Sequence, residues 1–243
     1  MSRPLLFVAS DRREAEPWTS HWEHQRPLDI PVHWARAGTW RGREMIAIAN
    51  GVGASRAFAA VQAARDVAGG LAGACSIGTG GALDSSLTIG DVVVATAIET
   101  TAIEGEACPA AICSAGVPHG PPVRSGLVHS SPHIARTAEE KRKLNQSGAI
   151  IVEMEAAGVA RAAQELAVPF YCVRVVSDLA NETFSIDFER FIMSDGRFNI
   201  ARLALRAIMH PITGLPELLR LQRRTAEAAQ KLGDYLAQCD FPI

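Results

Sequence analysis

The feature that most constrains this chain is a recurrence of short, unbroken apolar runs, several of them ending in glycine or a carboxylate, with helical patterning between them. Residues 5–9 (LLFVA), 44–49 (EMIAIA), 75–77, 149–152 and 170–176 (FYCVRVV) are such runs. A strand that is apolar at every position is covered on both faces, as in a parallel sheet flanked by helices. Residues 91–97 (DVVVATA) are β-branched and strand-like, and 125–129 read the same way. Between the runs, 55–67 carries Phe58, Val61 and Ala64 at helical spacing, 137–144 is a charged helix, and 155–166 is a helix stopped by Val168-Pro169. Residues 199–210 form a helix ended by Pro211. In 215–236 the stripe is Leu215, Leu218, Leu219, Ala226, Ala229, Leu232 and Leu236, with Arg220, Arg223, Arg224 and Lys231 off it. The segment 104–123 holds Gly and Pro without a period and reads as a long surface loop. Strands alternating with helices give a layered α/β fold in one domain.

Length and charge then narrow the function. A chain of 243 residues, 48% hydrophobic, can bury a sizeable core. Its net charge of −2 offers no basic surplus, so a small-molecule partner is expected and a nucleic acid is not. The first apolar run is too short for a signal peptide, and no stretch nears the ~20 apolar residues of a membrane span, so the expected location is the cytoplasm. The five cysteines are scattered, and Cys108 and Cys113 have no second pair to complete a zinc site. His129 and His133 are four apart, but Pro132 lies between them and no third ligand is near. No metal is expected. No Gly-x-Gly-x-x-Gly or Walker lysine is present, and no cofactor is expected.

Three groups of residues can carry chemistry. Gly51-Val52-Gly53, Gly78-Thr79-Gly80-Gly81 and Gly90 each follow a strand, either as tight turns or as places where backbone approaches a ligand. Glu153-Met154-Glu155 sits where a strand becomes a helix. Acids there suit the helix dipole. They can also accept hydrogen bonds from adjacent ribose hydroxyls and favour positive charge growing on a sugar. Ser177-Asp178 ends the FYCVRVV run, as a turn residue pair or as a general acid. Purine leaves poorly as an anion, and protonation at N7 corrects this. Such an acid must hold its proton near neutral pH.

Val152-Glu153-Met154-Glu155-Ala156-Ala157, followed by Val168-Pro169-Phe170, Val173-Arg174 and Ser177-Asp178, resembles the nucleoside phosphorylase and nucleosidase superfamily. Its look-alikes include the methylthioadenosine/S-adenosylhomocysteine nucleosidases and the futalosine hydrolases. Gly51-Val52-Gly53, the Gly-Thr-Gly-Gly stretch and Leu87-Thr88-Ile89-Gly90-Asp91-Val92-Val93-Val94 fall in the matching order, so the resemblance covers residues 4–195. It implies a three-layer α/β/α fold around a central mixed twisted sheet. Residues 1–198 would be the catalytic unit, and 199–243 a helical extension packed on it.

The resemblance also implies roles. Asp178 would protonate purine N7, oriented by Ser177; Glu155 would hold the ribose, beside Glu153, with Met154 packed under the sugar. Thr79 and Gly80 would lie near the ribose and nucleophile, the backbone of Ile134 would read the base edge, and Phe188 would border the 5′ side. Glu14 would activate water, with Asp11 and Glu16 as rivals. His133 stands where the nucleosidases stack an aromatic ring, and Asn181 replaces an acid common just after the Ser-Asp pair. The tail resembles the hopanoid-associated phosphorylase-like branch, whose proposed substrate joins adenosine at C5′ to a large hydrocarbon. The tail helices would cover an apolar channel, lie on a membrane surface, or simply pack.

The nucleophile is water or phosphate. Phosphorylases place an arginine where this chain has Ser76; Arg56 near Gly53, with Thr79, or Arg41 or Arg43 of a neighbouring subunit could serve phosphate instead. Ser76 together with Glu14 favours hydrolysis of a 5′-modified adenosine, with phosphorolysis to ribose 1-phosphate as the alternative and a non-catalytic nucleoside-binding protein as the second. A homodimer is implied by the family alone.

Overall fold

The computed structural model describes residues 3–100, 111–210 and 212–242, with 111–114 as backbone only. In chain order the elements are β1 (Leu5–Ala9), α1 (Arg12–Thr19), β2 (Glu23–Pro27), β3 (Trp34–Trp40), β4 (Arg43–Ala49), α2 (Ala54–Ala68), β5 (Gly73–Ala82) and β6 (Val92–Thr100). They continue with β7 (Ala111–Ser114), β8 (Arg124–Ser130), α3 (Ala138–Leu144), β9 (Ala149–Glu153), α4 (Ala156–Glu165), β10 (Phe170–Asp178), α5 (Ile200–Ile208) and α6 (Gly214–Leu236). Short 3-10 turns cover Asn145–Ser147 and Phe188–Phe191.

The apolar runs became interior strands. β1 lies between β4 and β5, parallel to both, and all its residues are buried. The sheet is mixed, in the order β10-β6-β8-β9-β5-β1-β4-β3-β2, with β7 on β6. β10 pairs with β5 as well as with β6, so β5, β10, β6, β8 and β9 close into a ring. This closure positions the site, because it brings the ends of β5, β9 and β10 together: Gly81 pairs with both Asp178 and Val152.

Helices cover both faces, giving the three-layer α/β/α fold with additional C-terminal helices. On one side α2 and α4 pack with Val8, Ile46, Ile48, Val61 and Val159. On the other, α1 and α6 pack with Phe7, Trp18, Trp22, Leu232 and Leu236. Phe7 meets Trp18 and Phe241 edge-on, each at 5.4 Å, a geometry that adds about 0.5–1.5 kcal/mol per pair beyond area burial. No helix among the described residues is long and apolar enough to cross a membrane.

The structure corrects several expectations. The Gly-Thr-Gly-Gly stretch is not a turn after a short strand; β5 runs through it to Ala82. The chain between β1 and β4 holds a helix and two strands that apolar periodicity does not announce. Residues 111–114, within the expected loop, form β7, while 101–110, including Cys108, lie outside the described residues. Arg41 and Arg43 bind their own chain's C-terminal end. Arg41 donates to the Ala237 carbonyl at 3.1 Å and Arg43 to that of Phe241 at 3.1 Å.

Candidate active site

The first acid is placed by a helix cap. Asp11 caps α1, and Glu14, three residues on, bonds back to the cap backbone. That reciprocal box satisfies N–H groups a helix start leaves free. The other oxygen of Glu14 crosses to β5, where Oε1 accepts from Thr79 N at 2.8 Å and Thr79 Oγ1 at 2.9 Å. Glu14 lies so close to the strand that a Cβ on Gly78 would meet its carboxylate at 3.0 Å. Asp11 instead pairs with Arg13 at 2.9 Å, and Glu16 is exposed. All three acids border one cavity, and of the three it is Glu14 that is tied to Thr79.

The second acid belongs to a buried trio. Glu153 ends β9, and its Oε2 accepts from the backbone N–H of Glu155 at 2.9 Å and Ala156 at 2.8 Å, capping α4. Arg174 of β10 pairs with Glu153 and donates to Ser76 Oγ at 2.7 Å. Ser76, the position where an anion-binding arginine was weighed, is therefore a buried partner of Arg174. Glu155 lies 3.9 Å from Arg174 and accepts from Gly53 N at 3.1 Å. Burial first, then the Glu153 charge, push its carboxyl up to about 8, against the smaller opposing pull of Arg174.

The third acid ends β10. Ser177 Oγ lies 2.7 Å from Asp178 Oδ1 and 3.1 Å from the Gly80 carbonyl. Gly81 has no room for a side chain, since a Cβ there would meet Asp178 Oδ2 at 2.8 Å. On that same oxygen Asp178 is paired with Lys141 of α3, which also donates to the Leu179 carbonyl at 2.7 Å. Sequence reasoning missed Lys141, because it sits in a charged helix that reads as solvent-facing. The available signal was its helical face: Ala138, Lys141 and Leu144 share the side turned inward.

Glu14, Glu155 and Asp178 line one cavity of about 650 Å³. Thr79, Gly80, Glu153, Met154 and Ser177 share that lining, as do His133, Ile134 and Phe188. Ile134 N donates to Glu189 Oε1 at 2.6 Å, and His133, largely exposed, lies 3.3 Å from the same carboxylate. Phe188 is buried, edge-on to Phe184 at 5.4 Å. The lining also includes the apolar Phe198, Ile200, Leu203, Leu218 and Leu221, contributed largely by α5 and α6. Gly53 and Arg56 do not line it; Arg56 donates to the Ser194 carbonyl. Arg13 and Arg197 do, each tied to an acid of its own, Asp11 and Asp195.

Comparison with known proteins agrees with this architecture. The family profile described as the phosphorylase superfamily matches residues 6–209. A 5′-methylthioadenosine/S-adenosylhomocysteine nucleosidase of Staphylococcus aureus (strain bovine RF122 / ET3-1) is 30% identical over 137 residues. That alignment spans 47% of this chain and 60% of the relative. Among solved structures, the S-adenosylhomocysteine nucleosidase of Streptococcus pyogenes in complex with 5-methylthiotubericidin superposes with a TM-score of 0.74 at 17% identity, covering 98% of this chain and 95% of that one. The futalosine hydrolase of Helicobacter pylori strain 26695 gives 0.72 at 16% identity, covering 97% and 96%. At these identities the superpositions establish the fold.

Proposed function

We propose, of a chain that belongs to the phosphorylase superfamily, that it hydrolyses the N-glycosidic bond of a purine nucleoside and releases the free base. The observation that carries this reading is the convergence of three carboxyl groups, Glu14, Glu155 and Asp178, on one cavity from three different elements. Each has a separate task. Asp178, steadied by Ser177, delivers a proton to purine N7, so the base departs neutral. Glu155, held by Gly53 N, meets the ribose hydroxyls, with Met154 beneath the sugar. Glu14, fixed on Thr79, takes the proton of the attacking water.

Water suits this cavity better than phosphate. A phosphate dianion beside three carboxyl groups needs uncommitted arginine, and Arg13 and Arg197 are already paired with carboxylates. The base fits adenine, whose N7 and neighbouring amino group match a carboxyl that can both donate and accept. Phe198, Ile200, Leu203, Leu218 and Leu221 favour a bulky apolar substituent at C5′, making α5 and α6 part of the substrate pocket. A cytoplasmic homodimer completes the reading, supported by the family resemblance.

The test is a base-release assay on adenosines bearing 5′ groups from methylthio to long alkyl, with and without phosphate. Adenine release independent of phosphate, rising with the apolar size of the 5′ group, is expected. Strict dependence on phosphate with ribose 1-phosphate as product would replace hydrolysis by phosphorolysis. Tight binding without turnover would leave a nucleoside-binding protein.

A further inference from the structure

We propose that Lys141 stores the proton that Asp178 passes to the departing base, a role that rests on the nucleosidase reading above. In this structure Asp178 Oδ2 is engaged by the Lys141 ammonium, and Oδ1 lies 2.7 Å from Ser177 Oγ, whose single proton can go to Oδ1 or to the Gly80 carbonyl at 3.1 Å. Once Asp178 has given a proton to the base, the carboxyl needs another. The nearest one is on Lys141 Nζ.

The placement of Lys141 is expensive and specific. Its side chain is fully buried, 5.3 Å from the Phe184 ring, while Glu139, Glu140, Arg142 and Lys143 of the same helix are exposed. Taking an ammonium and a carboxylate out of water is costly, so such a pair is weak evidence for stability alone. Lys141 does not border the cavity and Asp178 does, so a proton leaving Nζ reaches the base through the carboxyl group.

The step balances. As the N9–C1′ bond breaks with its electron pair going to the purine, Asp178 gives N7 a proton and takes one from Nζ. The water oxygen bonds to C1′ and its proton goes to Glu14. Lys141 is left as the neutral amine and Asp178 as it began. Solvent then returns a proton to Lys141 through Asp178, and Glu14 releases the one it took. A proton shifted within the pair removes both charges from a poorly solvated site until the carboxyl passes it on to the base.

Other titratable groups bordering this end are Glu14 of α1, Glu153 of β9, Glu155 before α4 and His133 after β8. Glu182 is tied to Arg224 of α6, Glu140 to the start of its own helix, and Arg174 to Glu153. All of these remain in a Lys141 variant, so a change in pH profile reports on the pair.

The experiment compares the pH dependence of kcat/KM for the wild type and Lys141→Met on the best nucleoside of the panel. With the store in place, activity persists until the pair loses its last proton. Without it the carboxyl must hold the proton itself, so the descending limb moves down and the wild type's advantage grows with pH. An unmoved limb, or one moved upward as a purely electrostatic role requires, overturns the proposal. Lys141→Met/Asp178→Asn recovering the melting temperature shows that any loss in the single variant comes from an unpaired carboxylate. If Lys141→Met does not fold, Lys141→Arg decides: guanidinium keeps the charge but does not give up a proton. Folded protein that binds nucleoside with kcat down on the order of a hundredfold is expected, and near-wild-type kcat refutes the role. A wild type inert toward the whole panel would sink the nucleosidase reading, whereas an active wild type with an unmoved limb sinks only this one.

Discussion

Glu155→Gln should make the protein more stable in alkali while abolishing its activity. In the folded chain this carboxyl titrates near 8 rather than the usual 4.5, because burial and the neighbouring Glu153 both resist its ionisation. Between those two values the folded state holds a proton that the unfolded state has lost. Stability therefore falls as pH rises through this window; the contribution is complete below 4.5 and gone above 8. At about 1.36 kcal/mol per pH unit, the full span amounts to at most about 5 kcal/mol. Glutamine keeps the shape and can still accept from Gly53 N, but it has no proton to lose. Thermal unfolding at pH 5, 7 and 9 is the assay. The variant and wild type should coincide at pH 5 and diverge steadily, with the variant melting roughly 10–20 °C higher at pH 9, at about 2–4 °C per kcal/mol for a chain of this size. Glu153→Gln in the same series should move the wild-type window to lower pH by removing the adjacent charge. Parallel stability curves for Glu155→Gln and wild type from pH 5 to 9 would refute the argument.

Asp178→Asn should fold and lose activity by about a hundredfold or more, measured as base release under single-turnover conditions; near-normal turnover would remove Asp178 from the chemistry. Arg174→Met leaves Glu153 buried without its partner and should destabilise by about 3–5 kcal/mol in denaturant unfolding, whatever the substrate. Leu203→Asp, in the apolar part of the lining, should raise KM for long-chain 5′ substrates far more than for methylthioadenosine, read from steady-state kinetics. Leu232→Ala should cost about 2–5 kcal/mol, because Leu232 is fully buried between α6 and the sheet.

Much of the interior sheet was legible because its signal is local. A strand such as 170–176 is apolar at every position, and the carboxyl that follows it lands at a sheet end whatever the rest of the fold does. The acids at 153, 155 and 178 were found for that reason. The first helix was not, since its eight residues contain Pro17 and little apolar pattern, although the Asp11-x-x-Glu14 spacing is a capping box. β2 escaped because every residue in it is exposed, and β3 because alternation in WARAGTW is muted by small side chains. The glycines of 78–81 suggest in sequence either a tight turn or a close backbone approach to a ligand. Here they are strand residues, with Gly78 against Glu14, Gly81 against Asp178 and Gly80 against β9, a demand visible only once distant segments meet. Lys141 was hidden the same way: its charged neighbours describe the outer side of the helix and say nothing of what the inner side touches.

The double pairing of β10 also has a consequence for how the molecule is made. Until that strand is synthesised and inserted, β5 and β6 each present a row of unpaired peptide groups, the kind of edge that recruits other chains. Were β5 and β6 to pair with their other neighbours first, these two edges would stay open until residues 170–178 are in place. The same insertion delivers Asp178, so closure of the ring and arrival of the proposed acid coincide.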